Sequence, residues 1–510
     1  MTIRRSMMIY LPLVLAGIAG AGHAQTVRFH DGSAVVTDRT IDGKRIARPA
    51  QTTARAPALP QMTGAPTAMA GGGTCAATAV DWHGQPLPAG ETGTLNALAF
   101  FRSATINAGG RVAFAAKVDD SVRNQGIFTA DAQGLHVIAL GCGADGGSGS
   151  TDTCGDPTPV GGTFGGIFTS TFGTPDINDS GDVLFLADVV GGSAPRGLFL
   201  YRDASHSIVK VAAIGDPSPL GGTITTLGPG SMNNASTVVF LAITDDREGS
   251  DALLWQNGMV TKHVAAGDAA PGGGTFWGIG TELWGFQDGT SIAGGPVPGI
   301  NQDGLISFRG YVNGGIAAGG LFLSVGGAHG WMVKAGDDAP GGGTYADFAA
   351  PLINNAGDIA FFSDIANGSQ AAWVTGKPGQ WRRAIAPYDA IDGGVVWSTA
   401  FSRNPMRALA DNGDLVLWTT RLMPDQNELG TMLLSHADGS VQILAEQGTE
   451  GPFGGYWGGS MDAWPSMNNA NQIRIGSATP GFALSADIIA TPCAAPADVV
   501  FRDGFDRTPD

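Results

Sequence analysis

The stretch Ile353-Asn354-Asn355-Ala356-Gly357-Asp358-Ile359-Ala360-Phe361 decides the fold, because its pattern recurs along the chain. In each copy an apolar residue, an Asn, two further residues and a Gly precede an alternating apolar segment. Clear copies occupy residues 106–114, 177–185 and 300–308, and degenerate copies start at Asn233, Ala410 and Asn468. The seven starts are 71, 55, 68, 53, 56 and 58 residues apart, an irregular spacing of the kind that loop insertions produce.

The Asn and Gly of each copy predict a tight turn between two antiparallel strands. An Asn side chain hydrogen-bonds to the backbone two residues on, and Gly accepts a positive φ without steric cost. In the last copy Asn471 replaces the Gly and keeps the tolerance for the left-handed region. We therefore expect structural turns at Asn107, Asn178, Asn301 and Asn354.

Three further strand segments complete each repeat. After the copy at Asn301 they are residues 320–323, residues 332–335 and a Gly-rich segment that leads to the next Asn. Four short strands per roughly 55–70 residues, repeated about seven times, predict an all-β fold, a β-propeller of about seven four-stranded blades. Residues 75–106 resemble the end of a repeat and residues 468–490 its beginning, so N- and C-terminal strands are expected to complete one blade and close the ring.

Composition supports a folded, acidic protein. The 510 residues include 80 Gly and 29 Pro, yet 43% are hydrophobic and no collagen-like period is present, which excludes a disordered or fibrous chain. The formal net charge is −17, so nucleic acid is excluded as a partner class. Residues 1–73 carry eight basic and three acidic residues, which leaves 20 basic and 42 acidic residues in the remainder and a net charge near −22 there.

The chain ends predict export. Arg4 and Arg5 precede an apolar run and a small-residue exit at 22–24, so residues 1–24 are expected to be a signal peptide. A retained membrane anchor is the alternative, but the run is shorter than the roughly 20 residues that a span needs, and no later segment approaches one. Residues 25–73 are expected to be a flexible linker or pro-region, 74–493 the propeller and 494–510 a tail with a sorting signal. The predicted location is extracellular or on the cell surface, with the periplasm as an alternative.

Four cysteines in an exported chain predict disulfides. Three pairings are open. We favour Cys142 with Cys154, which closes a Gly/Ser/Asp loop, and Cys75 with Cys493, which joins the two ends of the folded region. A metal site is the rival interpretation, but the chain has no C-x-x-C pair to support it.

The repeat resembles that of an exported bacterial family named for tandem Asn-x-x-Gly-x-x-Ala-Phe repeats, whose C-terminal anchor differs between members. The similarity covers about residues 75–490, and the copies at Asn107 and Asn354 fit the motif best once one spacer residue is allowed. The resemblance implies a secreted or surface protein of unknown biochemical role and supplies no catalytic residues. The tail around Phe501 and Phe505 is similar to short endings of exported Gram-negative proteins.

Candidate binding residues recur after the third strand segment of the repeats. A Gly-Asp pair stands there four times, with Asp156, Asp216, Asp268 and Asp337. We expect these carboxylates on one face, in connections that run toward the axis, where they either cap their own turns or bind a cation. Trp277, Trp397 and Trp457 follow the next Gly-Gly and either stack on sugars near the channel or pack between blades. One copy, with Asp176, Asn178, Asp179 and Asp182, has a calcium loop as its alternative interpretation, and no other cofactor is predicted.

The eight His residues of the sequence are not expected to converge on one metal, because those inside the repeats belong to outer hairpins that lie far apart around the ring. No nucleophile-elbow, zincin or P-loop motif is present. The sequence therefore favours a binding or interaction protein without a catalytic site, whose partner is a cell-surface glycan or protein. The alternative function is a polysaccharide lyase or hydrolase, or a lectin, that uses the acidic and aromatic face near the channel.

Overall fold

The computed structural model describes residues 27–30, 33–36, 40–41, 44–45, 74–96, 104–143, 153–166, 174–246, 249–280, 297–367, 370–398, 407–448, 460–461, 465–478 and 485–493. The chain divides into two units, Met1–Ala58 and Leu59–Asp510. In the first unit two hairpins lie within the segment predicted as a linker. They are formed by β1 (Val27–His30) with β2 (Ser33–Val36) and by β3 (Thr40–Ile41) with β4 (Lys44–Arg45).

The second unit consists of seven antiparallel sheets, numbered here as blades 1–7 in chain order. Blade 1 contains β6 (Thr94–Asn96), β7 (Ala104–Ile106), β8 (Val112–Asp119), β9 (Gln125–Asp131) and β10 (Gly134–Gly141). Blade 2 contains β11 (Thr163–Phe164), β12 (Asp176–Ile177), β13 (Val183–Val190), β14 (Arg196–Arg202), a short 3-10 helix (Asp203–Ser205) and β15 (Ser207–Ala213). Blade 3 contains β16 (Ile224–Met232), β17 (Val238–Thr244), β18 (Asp251–Gln256) and β19 (Met259–Val264).

The remaining four blades follow the same plan. Blade 4 contains β20 (Thr275–Ile279), β21 (Gly299–Ile300), β22 (Ile306–Asn313), β23 (Gly319–Val325) and β24 (Ala328–Lys334). Blade 5 contains β25 (Thr344–Phe348), β26 (Leu352–Ile353), β27 (Ile359–Ala366), β28 (Gln370–Lys377) and β29 (Gln380–Ile385). Blade 6 contains β30 (Ala390–Ile391), β31 (Gly394–Ser398), β32 (Leu415–Leu422), β33 (Glu428–Ser435) and β34 (Val441–Glu446). Blade 7 contains β35 (Ser460–Met461), β36 (Ser466–Met467), β37 (Ile473–Ala478), β38 (Ser485–Pro492) and β5 (Thr74–Trp82).

Blade 7 joins the two ends of the ring. Its strands β35 to β38 come from the C-terminal part of the chain, and its outermost strand β5 comes from the N-terminal part. The antiparallel register pairs Ala486 with Trp82 and Pro492 with Thr74. The predicted seven-bladed β-propeller, closed by N- and C-terminal strands, is confirmed.

The core lies between adjacent sheets, which explains why the second strand of a blade is apolar on both faces. In β13, Val183, Leu184 and Phe185 are consecutive and all buried. Leu184 packs in the cluster shared with blade 3, and Phe185 in the cluster shared with blade 1. Strands buried on both sides give such continuous apolar runs in place of strict alternation.

Strand direction defines two faces of the ring. In blade 2 the short segments β11 and β12 both pair with β13 and together form the first strand, so that β13, β14 and β15 are the second, third and fourth strands. The Asn turns join the first and second strands at one face, named the Asn face here. The loops that leave the fourth strand and enter the next blade lie at the other, named the connection face. Among the described residues, no helix is long and apolar enough to cross a membrane.

Candidate functional site

The Asn residues of the repeat form the turns and also link neighbouring blades. In blade 4 the Asn301 side-chain oxygen accepts hydrogen bonds from the backbone N–H groups of Asp303 (3.1 Å) and Leu305 (2.9 Å). Its Nδ2 group donates to the backbone oxygen of Asn354 in blade 5 at 3.2 Å. Equivalent links join Asn107 to Asn178, Asn178 to Asn233, Asn233 to Asn301, Asn354 to Ala410 and Asn468 to Asn107. We name this series the Asn ring.

A second series of hydrogen bonds involves the residue after each Asn. The backbone N–H of Gln302, for example, donates to the side-chain oxygen of Asn355 at 3.0 Å. Alanine interrupts each series once, because Ala410 has no side-chain donor for the first and Ala108 has no side-chain acceptor for the second. Both interruptions adjoin blade 7, where the chain ends meet.

The four Gly-Asp carboxylates share one environment at the end of the fourth strand. Each accepts a hydrogen bond from a backbone N–H at the end of its own blade's fourth strand and pairs with a basic side chain. Asp216 accepts from Ala213 N and Lys210 Nζ, both at 2.8 Å. The corresponding partners are Leu140 N and Arg123 for Asp156, Ala265 N and Lys262 for Asp268, and Lys334 N and Nζ for Asp337.

Each carboxylate lies beside the end of its own blade's fourth strand. The cause is the hydrogen bond to the backbone three residues earlier, as in Asp216 with Ala213, which draws the side chain back onto its own blade. The four carboxylates thus cap their own turns, one per blade.

The four residues of the alternative calcium loop bind different partners. Asp176 pairs with Arg407, and Asp179 accepts from Ala108 N (2.8 Å) and Asn234 Nδ2 (2.7 Å). Asp182 accepts from Arg202, Asp203 and Ser236. The described residues contain no group of three His, Cys, Asp or Glu side chains that could hold a metal ion.

The three candidate tryptophans have different surroundings. Trp277 is half-buried and packs on Tyr311, with the ring centroids 5.1 Å apart. Trp397 is exposed (39%) and meets the exposed Tyr388 (59%) at a centroid distance of 6.1 Å and an interplanar angle of 84°. Trp457 lies outside the described residues. We name the Tyr388–Trp397 pair the aromatic corner.

Tyr388 occupies a position that glycine fills in three other blades. Gly215, Gly267 and Gly336 precede the capping Asp with φ near +92°, and Tyr388 precedes Asp389 with φ of +71°. The backbone bond is also the same, since Tyr388 N donates to Val396 O at 2.7 Å as Gly215 N donates to Ile224 O. A Cβ atom at any of the three glycines would meet no atom within 4 Å, so a side chain there projects outward.

Tyr388 is recognisable in the sequence as a residue that replaces a recurring glycine, although it belongs to no known motif. In the connections between blades, Tyr388 takes the position that three glycines with positive φ occupy elsewhere. A bulky residue in the left-handed region costs about 1–2 kcal/mol relative to the usual conformation, and such strain clusters at functional sites. The connection between blades 5 and 6 thus departs from the Gly-Asp pattern at Tyr388.

A charged side chain of blade 6, that of Arg407, extends across the central channel. Arg407 stands where Pro175, Pro298, Pro351 and Pro465 stand in other blades, and its φ is +52°. Its Nε and Nη2 groups donate to the two carboxylate oxygens of Asp176 in blade 2, on the far side of the ring, and Nη2 also donates to the Met232 backbone oxygen at 2.9 Å.

The pair adjoins a small axial cavity of about 90 Å³, lined also by Met232, Pro298 and Pro351. Asp176 is only 1% exposed, while Arg407 is 26% exposed. The neighbouring carboxylates keep the pKa of Arg407 above its usual value, although burial opposes this. The volume suits several water molecules.

Two histidines meet between blades 3 and 4, although they belong to hairpins of different blades. The rings of His263 in β19 and His329 in β24 have centroids 5.5 Å apart, and both rings contact Phe308. Burial, with a smaller contribution from His329, lowers the pKa of His263 to about 4.

We expect this histidine to make stability depend on pH. Between pH 6.5 and about 4 the unfolded chain binds a proton at His263 that the folded chain rejects, so stability falls as pH falls. From pH 7.5 to pH 5 this residue should remove about 2 kcal/mol from the free energy of unfolding. Urea denaturation at both pH values should give a smaller difference for His263→Phe; an equal difference in the two proteins would contradict the assignment.

The cysteines lie where the fold brings chain segments together. Cys142 and Cys154 form a disulfide with a Cα–Cα distance of 5.9 Å. Cys493 is disulfide-bonded, and the backbone of Cys75 lies beside it because Thr74 pairs with Pro492 and Ala76 with Thr491. The Cys75 side chain is outside the described residues, so that pairing stays a prediction.

Comparison with known proteins identifies the family. A model of a family of unknown function (DUF7453) matches residues 153–284 and 279–491. The chain belongs to this family. The match to DUF7453 runs from the start of the connection into blade 2 to the end of β38, and so includes the aromatic corner and Arg407. No curated protein sequence matches the chain.

Solved structures with a similar fold include enzymes of several kinds. A prolyl endopeptidase structure is 11% identical with a TM-score of 0.42, over 74% of this chain and 47% of that one. The chain thus spans about half the length of that peptidase. An ulvan lyase of polysaccharide lyase family PL25 is 8% identical with a TM-score of 0.36, over 82% and 95% of the two chains. A gluconolactonase from Xanthomonas campestris is 10% identical with a TM-score of 0.28, over 62% and 85%. None of these likenesses bears on the activity of the DUF7453 chain.

Proposed function

We propose that this protein is an exported β-propeller binding module that holds its ligand at the aromatic corner of blade 6. The observation that carries the proposal is Tyr388, a strained and exposed aromatic residue where the repeat provides glycine. A protein retains such strain where the side chain has a task that glycine cannot perform. Trp397, exposed beside it, supplies the second ring of the surface.

The carboxylates favour binding over catalysis. Glycoside cleavage needs two carboxyl groups about 5–10 Å apart with access to the substrate. Each recurring aspartate accepts a hydrogen bond from a backbone amide and pairs with a basic side chain of its own blade, as Asp216 does with Ala213 and Lys210. A polysaccharide lyase or hydrolase would therefore have to draw its acid and base from elsewhere, and the lectin alternative remains as an outcome of the test below.

Export and surface attachment belong to the same proposal. The charged, apolar and small-residue parts of residues 1–24 support a signal peptide. The Cys142–Cys154 disulfide suits an oxidising compartment. The Asn-x-x-Gly repeat and the tail at 494–510 support placement of this chain among the choice-of-anchor tandem-repeat proteins.

Tyr388→Gly is expected to abolish ligand binding without loss of stability. The variant loses a ring contact of about 0.5–1.5 kcal/mol but releases about 1–2 kcal/mol of backbone strain. The free energy of unfolding should stay within about 0.5 kcal/mol of the wild-type value. Urea denaturation measures this, and a loss above about 2 kcal/mol would assign Tyr388 a structural role instead.

Binding itself is tested on glycan and peptide arrays. Wild-type protein, Tyr388→Gly, Trp397→Ala and the control Val325→Ala are applied in parallel, since Val325 is equally exposed (57%) at a hairpin of blade 4. We expect each array signal of the wild-type protein to persist in Val325→Ala and to fall at least tenfold in both Tyr388→Gly and Trp397→Ala. Signals that persist in both corner variants, or products released from a bound polysaccharide, would overturn it.

A further inference from the structure

We infer that the ligand group held in the aromatic corner is a small organic cation of the quaternary ammonium class. This inference rests on the proposed function and assigns the chemistry of the same site. It follows from the angle between the two rings, from the charge around them and from the shape that the pair leaves open.

The ring geometry favours a compact cation over a flat sugar. Tyr388 and Trp397 are nearly perpendicular (84°) with centroids 6.1 Å apart, so the edge of one ring approaches the face of the other. That contact covers part of the face on which a pyranose would stack. The two π faces that remain meet at a right angle, and a cation in the angle lies within about 6 Å of both centroids, the range of cation–π attraction.

The charged groups near the two rings favour a cation. The guanidinium of Arg383, in the strand before the corner, is paired with Asp389 at 3.0 Å, so the carboxylate offsets its positive charge. Asp392 at the tip of the same hairpin, between β30 and β31, presents a carboxylate that is 84% exposed, with Arg421 Nη1 3.9 Å from its Oδ2 atom. The net charge near −22 for residues 74–510 raises the local concentration of cations further.

The backbone fixes the corner before a ligand arrives. Tyr388 N donates to Val396 O, and Val396 N donates back to Asp389 O at 2.9 Å, which holds the two aromatic positions opposite each other. Val396 itself is buried in the blade 6 core. Binding to such a preformed pair orders few additional groups, which lowers the cost of association.

The experiment compares choline with its neutral isostere. Full-length protein is titrated calorimetrically with choline chloride and, separately, with 3,3-dimethylbutan-1-ol, which has the same shape without the charge. We expect choline to bind and the isostere to bind at least tenfold more weakly. Choline affinity should fall at least tenfold in Trp397→Ala and Tyr388→Gly, and should persist in Tyr388→Phe and Val325→Ala.

The outcomes separate this inference from the proposed function. Equal affinity for choline and the isostere would overturn the cation assignment. No binding of choline, together with an array ligand that is lost in both corner variants, would also overturn it and would leave the binding surface in place. Choline binding that is unchanged in Trp397→Ala and Tyr388→Gly would overturn both proposals.

Discussion

Replacing Arg407 by Met should lower the free energy of unfolding by about 3–4 kcal/mol, the largest effect of any single substitution considered in this protein. Met keeps most of the side-chain length and removes the charge. Asp176 is then left 1% exposed without the cation that spans the channel to reach it. A buried carboxylate without its partner costs far more than the loss of an exposed ion pair.

The pH dependence of this variant distinguishes a lost charge partner from lost packing. In Arg407→Met the Asp176 carboxylate is buried without its cation, which favours the neutral form of this side chain in the folded state. Stability of the variant relative to wild type should then recover as pH falls, because the folded form takes up the proton first. The measurement is the difference between the two urea denaturation curves from pH 7 to pH 4.

A second variant controls for misfolding. Asp176→Asn in the Arg407→Met background removes the stranded charge and keeps the acceptor for the Met232 N–H group. The double variant should regain most of the lost stability. A single variant that loses less than about 1 kcal/mol, or a double variant as unstable as the single one, would contradict a buried ion pair across the channel.

Asn301→Ala should lower the free energy of unfolding by about 2–3 kcal/mol, because one side chain makes three hydrogen bonds. Two of these close its own turn, and the third reaches the Asn354 backbone oxygen of the next blade. Asn301→Asp separates the two roles, since it keeps the acceptor for the turn and removes the donor for the neighbouring blade. It should lose part of the stability that Asn301→Ala loses.

Ala410→Asn provides the opposite change at a natural gap. Ala410 interrupts the Asn ring between blades 6 and 7, so an Asn there should add a donor toward blade 7 and raise stability by about 0.5–1.5 kcal/mol. Thermal and urea denaturation of Asn301→Ala, Asn301→Asp and Ala410→Asn form one series. The link between blades would be contradicted if Asn301→Asp matched wild type and Ala410→Asn gained nothing.

The fold could be predicted from sequence because each blade is built from local signals. Asn-x-x-Gly turns, the apolar second strand and the Gly-Asp connection recur at short range, and their number gives the blade count. The closing blade was also predictable, since residues 75–106 and 468–490 are complementary parts of one repeat. Each of these segments specifies a turn or a strand, and such local structure depends on neighbours within a few residues.

The site was predicted only in part, because its contacts are long-range or lie in exceptions to the repeat. Asp176 and Arg407 are 231 residues apart, and only the curvature of the ring brings them together. The aspartates of the Gly-Asp loops recur in the sequence, and each accepts a hydrogen bond from a backbone amide of its own blade. Tyr388 and Arg407 do not recur at all, and each is recognisable only as the residue that replaces the usual Gly or Pro of its position.

Hydrogen–deuterium exchange with saturating choline tests most directly whether the aromatic corner is where this propeller binds its ligand. The amides of Tyr388 and Val396, which bond across the base of the corner, report on the site. The account predicts slowed exchange within residues 386–398 of wild-type protein and unchanged exchange in Tyr388→Gly. Protection on the Asn face or at the axial cavity, with none in residues 386–398, would contradict it.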